Sequence, residues 1–190
     1  MQKTVNAPTL MVRRAEAIQA YASIEYSLAM VLMVLLEKND PNIGFSLISR
    51  MVNARSRSHL IEDLLSQSDV AELSASWKRL AKKLSEVDGV RNKIVHWNYV
   101  QSEKNGEIEN YLMPWSAFSG QTQEKMNLSE VELFISKANQ MASMISVFSG
   151  YKLADANTRT ALADIFNLPI DENFLKAYGE RIQQLSVPAN

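Results

Sequence analysis

Arg91-Asn92-Lys93-Ile94-Val95-His96-Trp97 stands where one kind of patterning gives way to another. Ahead of it, apolar residues recur at helical spacing. After it, from Trp97 to Trp115, Tyr99, Val100, Ile108, Tyr111, Leu112 and Met113 surround Glu103-Lys104-Asn105-Gly106. Asn-Gly between such residues is the strongest short signal for a two-stranded hairpin, because both turn positions accept positive φ. A helix therefore closes near His96 and a small hairpin over 97–115 follows it.

Toward the N-terminus, the helix carrying this segment starts at Ser68 or Asp69, either of which suits an N-cap. Val70, Leu73, Trp77, Leu80 and Leu84 form its apolar stripe, and Gly89 marks a pause before it continues to His96. A second helical region covers Asn42 to Ser66, broken near Asn53, with Ile48, Val52, Leu60, Leu64 and Leu65 apolar. The first long helix runs from Thr9 to Glu37 on Ile18, Ala22, Ala29, Leu32 and Leu36, with Asn39-Asp40-Pro41 as its stop. Beyond the hairpin, helix resumes at Asn127 or Ser129, where Asn127-x-x-Glu130 and Ser129-x-x-Glu132 both satisfy capping-box logic. Two shorter helices follow, Asp155–Phe166 and Asp171–Leu185, separated by Asn167-Leu168-Pro169. The fold class is all-α, a helical bundle with one β-hairpin inserted.

Composition narrows what such a bundle does. The chain has 190 residues, no cysteine, two histidines, 46% apolar residues and a net charge of −1. That length suits one domain with a core that needs no staples. Thiol nucleophiles, disulfides and cysteine–zinc sites are excluded outright. The longest apolar run, Leu28 to Leu36, falls well short of the roughly 20 residues of a bilayer span. The first 27 residues have no early apolar block of the secretory kind, so the expectation is a cytoplasmic protein without a membrane partner. No phosphate-cradling glycine loop and no serine-nucleophile elbow occurs. Residues 1–100 carry 13 Lys/Arg against 10 Asp/Glu, whereas residues 101–190 carry 7 against 11. The most basic stretch holds Lys78, Arg79, Lys82, Lys83, Arg91 and Lys93. Such a run meets nucleic-acid phosphates or simply faces water.

One constellation carries chemistry. At helical spacing Asn92 and His96 sit about 40° apart and share a face. Arg91 and His96 are about 140° apart, so they converge only at a helix end or across a two-fold axis. The pattern Arg-Asn-x-x-x-His, after long helices and before a polar hairpin, resembles the HEPN superfamily of nucleotide-binding and RNA-cleaving helical bundles. The likeness covers roughly residues 10–148. It implies an up-and-down bundle over residues 1–148, with residues 149–190 as a C-terminal helical extension packed on the same domain. It also implies a homodimer in which two Arg-x4-His motifs face one cleft and cut RNA without a metal or other cofactor, leaving 2′,3′-cyclic phosphate ends. Defence or toxin–antitoxin settings, with an antitoxin or regulatory protein as partner, come with the family. Its other branch has lost cleavage and only binds nucleotide, RNA or protein.

The residue types suit that reaction. Histidine exchanges protons nearest neutrality of all side chains, and arginine presents a planar fork to phosphate oxygens. His96 is thus the general acid/base, Arg91 the phosphate clamp and Asn92 the orienter, with Lys78, Arg79, Lys82, Lys83 and Lys93 offered to RNA. The bland alternative is a helix-terminal histidine favoured by the dipole beside a local asparagine cap. Glu25 sits on the apolar stripe of the first helix and needs a cation. Arg91, Arg55 and Arg57 are the candidates, in a supporting or a purely structural role. His59 with Glu62 and Asp63 has metal-like spacing, but one histidine without thiols makes a solvated charged face the better account. Residues 161–181 faintly suggest a helix-turn-helix. Its second helix opens Asp171-Glu172, the wrong charge for phosphate, so DNA is not the expected partner.

Overall fold

The computed structural model describes residues 7–51, 53–104, 106–120, 122 and 124–186. Val52 and Asn105, read above as a core position and a turn residue, lie outside them. The elements in order are α1 (Ala7–Leu35), α2 (Pro41–Arg50), α3 (Ala54–Ser66), a 3-10 turn (Ala71–Leu73) and α4 (Ser74–His96). Then come β1 (Asn98–Lys104), β2 (Glu107–Met113), a second 3-10 turn (Trp115–Ser119) and α5 (Leu128–Leu153). The chain closes with α6 (Ala156–Leu162), a third 3-10 turn (Ala163–Asn167) and α7 (Glu172–Ser186). Among the described residues the chain is mostly helical, with one two-stranded antiparallel sheet.

Local chemistry explains most boundaries. Asn127 Oδ1 accepts from the Glu130 amide at 3.1 Å while Glu130 returns a carboxylate to the Asn127 amide at 2.8 Å, a complete capping box that starts α5. Asn53 and Asp155 cap α3 and α6 in the same way, through the amides of Ser56 and of Asn157 and Thr158. Two expectations need correcting. Asn39-Asp40-Pro41 does not stop α1. The helix ends at Leu35, and two residues on Glu37, with a φ of 54°, reverses the chain while Lys38 N–H bonds Met33 O and Glu37 N–H bonds Val34 O. That is a Schellman closure with glutamate in glycine's usual place, and Asp40-Pro41 instead opens α2. Nor does α4 pause at Gly89, because one helical glycine costs about 1 kcal/mol and the turns either side outweigh it.

The chain divides into two compact units, one comprising Met1–Ser23 and Glu86–Asn139, the other Ile24–Ser85 and Gln140–Asn190. Residue 148 lies inside α5, so no element boundary falls there.

In the first unit, β1 and β2 pair from Asn98↔Met113 to Lys104↔Glu107, and Gly106, just before β2, has a φ of 81°. Leu112 and Met126 exchange two 2.8 Å backbone bonds, which returns the chain beside β2 before α5 begins. Ile94, Leu112, Val131 and Phe134 are buried here. Arg13 reaches Glu16 at 2.5 Å and Glu132 at 3.3 Å.

The second unit is built on aromatic rings. Phe166 stands edge-on to Phe148, Tyr151 and Phe174 at centroid distances of 5.4, 4.8 and 5.7 Å, and Phe148 meets Trp77 at 5.3 Å. Each such pair adds roughly 0.5–1.5 kcal/mol beyond its buried area. The Trp77 indole N–H donates to Ser58 O at 3.0 Å, which removes the one polar liability of a fully buried tryptophan. Gly44 of α2 rests directly on the Ala29 backbone of α1. Although Thr9–Leu35 is long and apolar enough to cross a bilayer, 61% of its most apolar window is buried in the protein. It packs as a core helix does.

Candidate active-site face at the end of α4

The last two turns of α4 carry Arg91, Asn92, Lys93 and His96. Ile94, fully buried, fixes the inward side of this stretch. Helical spacing then turns Asn92 and His96 outward together, and both are exposed. Among the described residues His96 has no hydrogen-bond or ion-pair partner, and the residue is exposed.

Arg91 is braced. Its Nη1 donates to Asn92 Oδ1 at 3.0 Å, and its guanidinium carbon lies 5.1 Å from the centroid of the Tyr21 ring. Tyr21 is buried, and its hydroxyl donates to Asp88 at 2.6 Å, one turn before Arg91. A cation held over an aromatic face keeps most of its five N–H donors available. Asn92, accepting through its carbonyl oxygen, retains its amide hydrogens for a further acceptor. No hydrogen bond or ion pair among the described residues joins Arg91 to His96.

Lys93 bonds both carboxylate oxygens of Glu124 at 3.3 Å and sits 5.1 Å from the Trp97 ring. From α1, Arg14 Nη2 donates to Val95 O at 2.8 Å. That oxygen is one of the terminal carbonyls a helix leaves unpaired, and a cation also suits the negative end of the dipole. The sequence reading did not single out Arg14, Tyr21 or Asp88. The available signal was the Arg13-Arg14 pair near the start of α1. Arg14, Arg91 and Lys93 together make this face net basic against Asp88 and Glu124.

The remaining candidates lie in the other unit. Lys78 pairs with Glu62 at 3.1 Å. Arg79 donates to Ser76 Oγ and Phe166 O at 3.0 and 2.5 Å, and Lys83 donates to Ile170 O. Both thus cap carbonyls of the C-terminal segment. Lys82 is exposed. Glu25 takes Arg57 as its cation at 2.6 Å, and Arg57 also holds Met51 O at 3.2 Å. Arg57 is buried, so this pair ties α1 to α3. Among the described residues no three His, Asp or Glu side chains gather as a metal-binding group, those of His59, Glu62 and Asp63 included. No protein-family model, curated protein or solved structure matches this chain.

Proposed function

We propose that the chain is a HEPN-like, metal-independent endoribonuclease that works as a homodimer. The observation that carries this reading is the exposed Asn92–His96 pair on the last turn of α4, with Arg91 braced over Tyr21 beside it. RNA supplies its own nucleophile. One His96 removes the proton from a ribose 2′-hydroxyl, and the oxygen attacks the adjacent phosphorus. The bond from phosphorus to the 5′ oxygen breaks, and that oxygen takes a proton from the partner's His96. The products are a 2′,3′-cyclic phosphate and a 5′-hydroxyl, with no water consumed. Arg91 neutralises charge growing on the non-bridging oxygens, and the Asn92 amide donates to one of them. A motif with one histidine needs a second copy to fill both proton-transfer roles. The cytoplasmic setting, and an antitoxin or regulatory protein that restrains the activity, complete the reading.

One observation favours a second reading, a non-catalytic module that binds nucleotide, RNA or protein. Arg79 and Lys83, offered as RNA contacts, are engaged by backbone carbonyls. The test is cleavage of a mixed RNA pool in EDTA by the wild-type protein and by His96→Ala, with end-group analysis. Cutting to cyclic phosphate ends that falls by about 10²–10⁴ in the variant supports the nuclease. Stable dimers with no cutting by either protein overturn it in favour of the binding module.

A further inference from the structure

Trp115 is 76% exposed, the most open of the large apolar side chains among the described residues, and Phe118 beside it is 58% exposed. Their rings stand 5.4 Å apart at 50°. A water-facing indole paired with a phenyl ring is costly to leave open and is a ready surface for a flat, apolar partner.

Its position gives it a use. Asn98, two residues after His96, is paired in register with Met113, two residues before Trp115. Opposed strand residues lie about 5 Å apart and successive Cα atoms 3.8 Å apart, which holds the backbones of His96 and Trp115 within about 20 Å. The far side of the turn is tied back as well, because Glu124 bonds Lys93 on the last turn of α4. Pro114 enters the 3-10 turn and Gly120, at φ 75°, leaves it, so one short turn presents both rings. The aromatic pair therefore sits between two anchors that flank His96 on either side in sequence. Arg91, on the last two turns of α4 and without an ion pair among the described residues, supplies positive charge near His96.

We infer that Trp115 and Phe118 form a base-stacking subsite for single-stranded RNA, gripping an unpaired nucleobase a few nucleotides from the phosphate presented to His96. The placement rests on the nuclease reading of His96, whereas the stacking is testable alone. An exposed ring stacks on any base because every base has a π-face, and Trp115, at 76% exposure, is accessible to one. A duplex hides its base faces, so the subsite selects unpaired RNA.

The probe is a mixed-sequence oligonucleotide with 2′-O-methyl riboses, which binds but lacks the nucleophile. Its affinity for the full chain is read by anisotropy, with the same sequence as a duplex for comparison. The expected result is preference for the single strand, a loss of roughly 5- to 100-fold in Trp115→Ala, a smaller loss in Phe118→Ala, and near-complete retention in Trp115→Phe. Cleavage is read separately on an unmodified oligonucleotide of the same sequence, so a failure of cleavage leaves the binding result standing and the two readings part. Equal affinity of wild type and Trp115→Ala, or tighter binding of the duplex, overturns the subsite. So does a Trp115→Ala protein that becomes monomeric where wild type is dimeric, because the rings then serve a second copy of the chain. Circular dichroism on each variant establishes that the fold is kept, and Trp115→Phe separates loss of stacking from loss of the turn.

Discussion

Replacing glycine by alanine at two helical positions has opposite effects in this protein, and the difference measures how closely α2 approaches α1. A Cβ at Gly44 lies 2.1 Å from Ala29 O and 2.8 Å from Ala29 C, both backbone atoms. Neither can rotate away, so α2 must retreat by about 1 Å. A gap of that size forfeits a quarter to a half of each contact it opens. Ile48, on the same short helix and 4% exposed, loses contacts with it. Overpacking of this kind costs about 1–3 kcal/mol, and alanine's better helix propensity returns at most about 1 kcal/mol. A 2.1 Å approach to backbone that cannot rotate away puts this case in the upper part of the overpacking range, about 2–3 kcal/mol, so the net is a loss of about 1–2 kcal/mol. At Gly89, inside α4, an added Cβ meets nothing within 4 Å. There the propensity gain of about 0.5–1 kcal/mol stands unopposed. Urea titration and thermal melts of Gly44→Ala and Gly89→Ala provide the test. For a chain of this size each kcal/mol moves Tm by roughly 2–4 °C, so the two midpoints separate by about 3–12 °C with wild type between them. A Gly44→Ala protein as stable as wild type would refute the close approach of α2 to α1.

Glu25→Gln leaves the buried Arg57 guanidinium with Met51 O but no carboxylate, and stability falls by about 1–3 kcal/mol in urea. A supporting role in cleavage adds a fall in kcat, whereas a purely structural pair leaves kcat unchanged. Asp69 is held at a pKa of about 2 by hydrogen bonds from Lys152 and then Arg159. A carboxyl depressed on folding contributes stability above its unfolded pKa near 4, and that contribution disappears as pH falls toward 2. Asp69 is half exposed, so about 0.2–1 kcal/mol per pair is at stake, and Asp69→Asn flattens the acid limb of stability against pH. Truncation after Leu153 removes Phe166 and Phe174 together with the carbonyls held by Arg79 and Lys83. The shortened chain is expected to lose cooperative unfolding, and a sharp transition near the wild-type midpoint would show the tail to be dispensable. Phe166→Ala, a milder form of that change, costs about 3–5 kcal/mol.

Local residue chemistry carried far in the sequence. Asn-Gly at 105–106 announces the hairpin, because few other pairs accept two positive φ angles in succession. The capping box at Asn127 and Glu130 announces the start of α5 for an equally local reason. Helical spacing alone places Asn92 beside His96, since a face of α4 is a matter of angle and needs no partner element.

What the sequence left open depended on residues distant along the chain. Glu37 ends α1 in a conformation that glutamate seldom adopts, and no propensity signals it. Glu25 had three arginines to choose from, and only the packing of α1 with α3 selected Arg57. Arg79 and Lys83 read as a basic face until the C-terminal carbonyls, some 87 residues onward, are seen to occupy them. Arg14 capping Val95 O and Tyr21 under Arg91 likewise join α1 to the end of α4 across 70 to 81 positions. Periodicity and capping act within one turn of backbone, so a sequence read locally determines them. A cation's partner is decided by which carboxylate, carbonyl or ring the fold brings within reach, and only the tertiary structure fixes that.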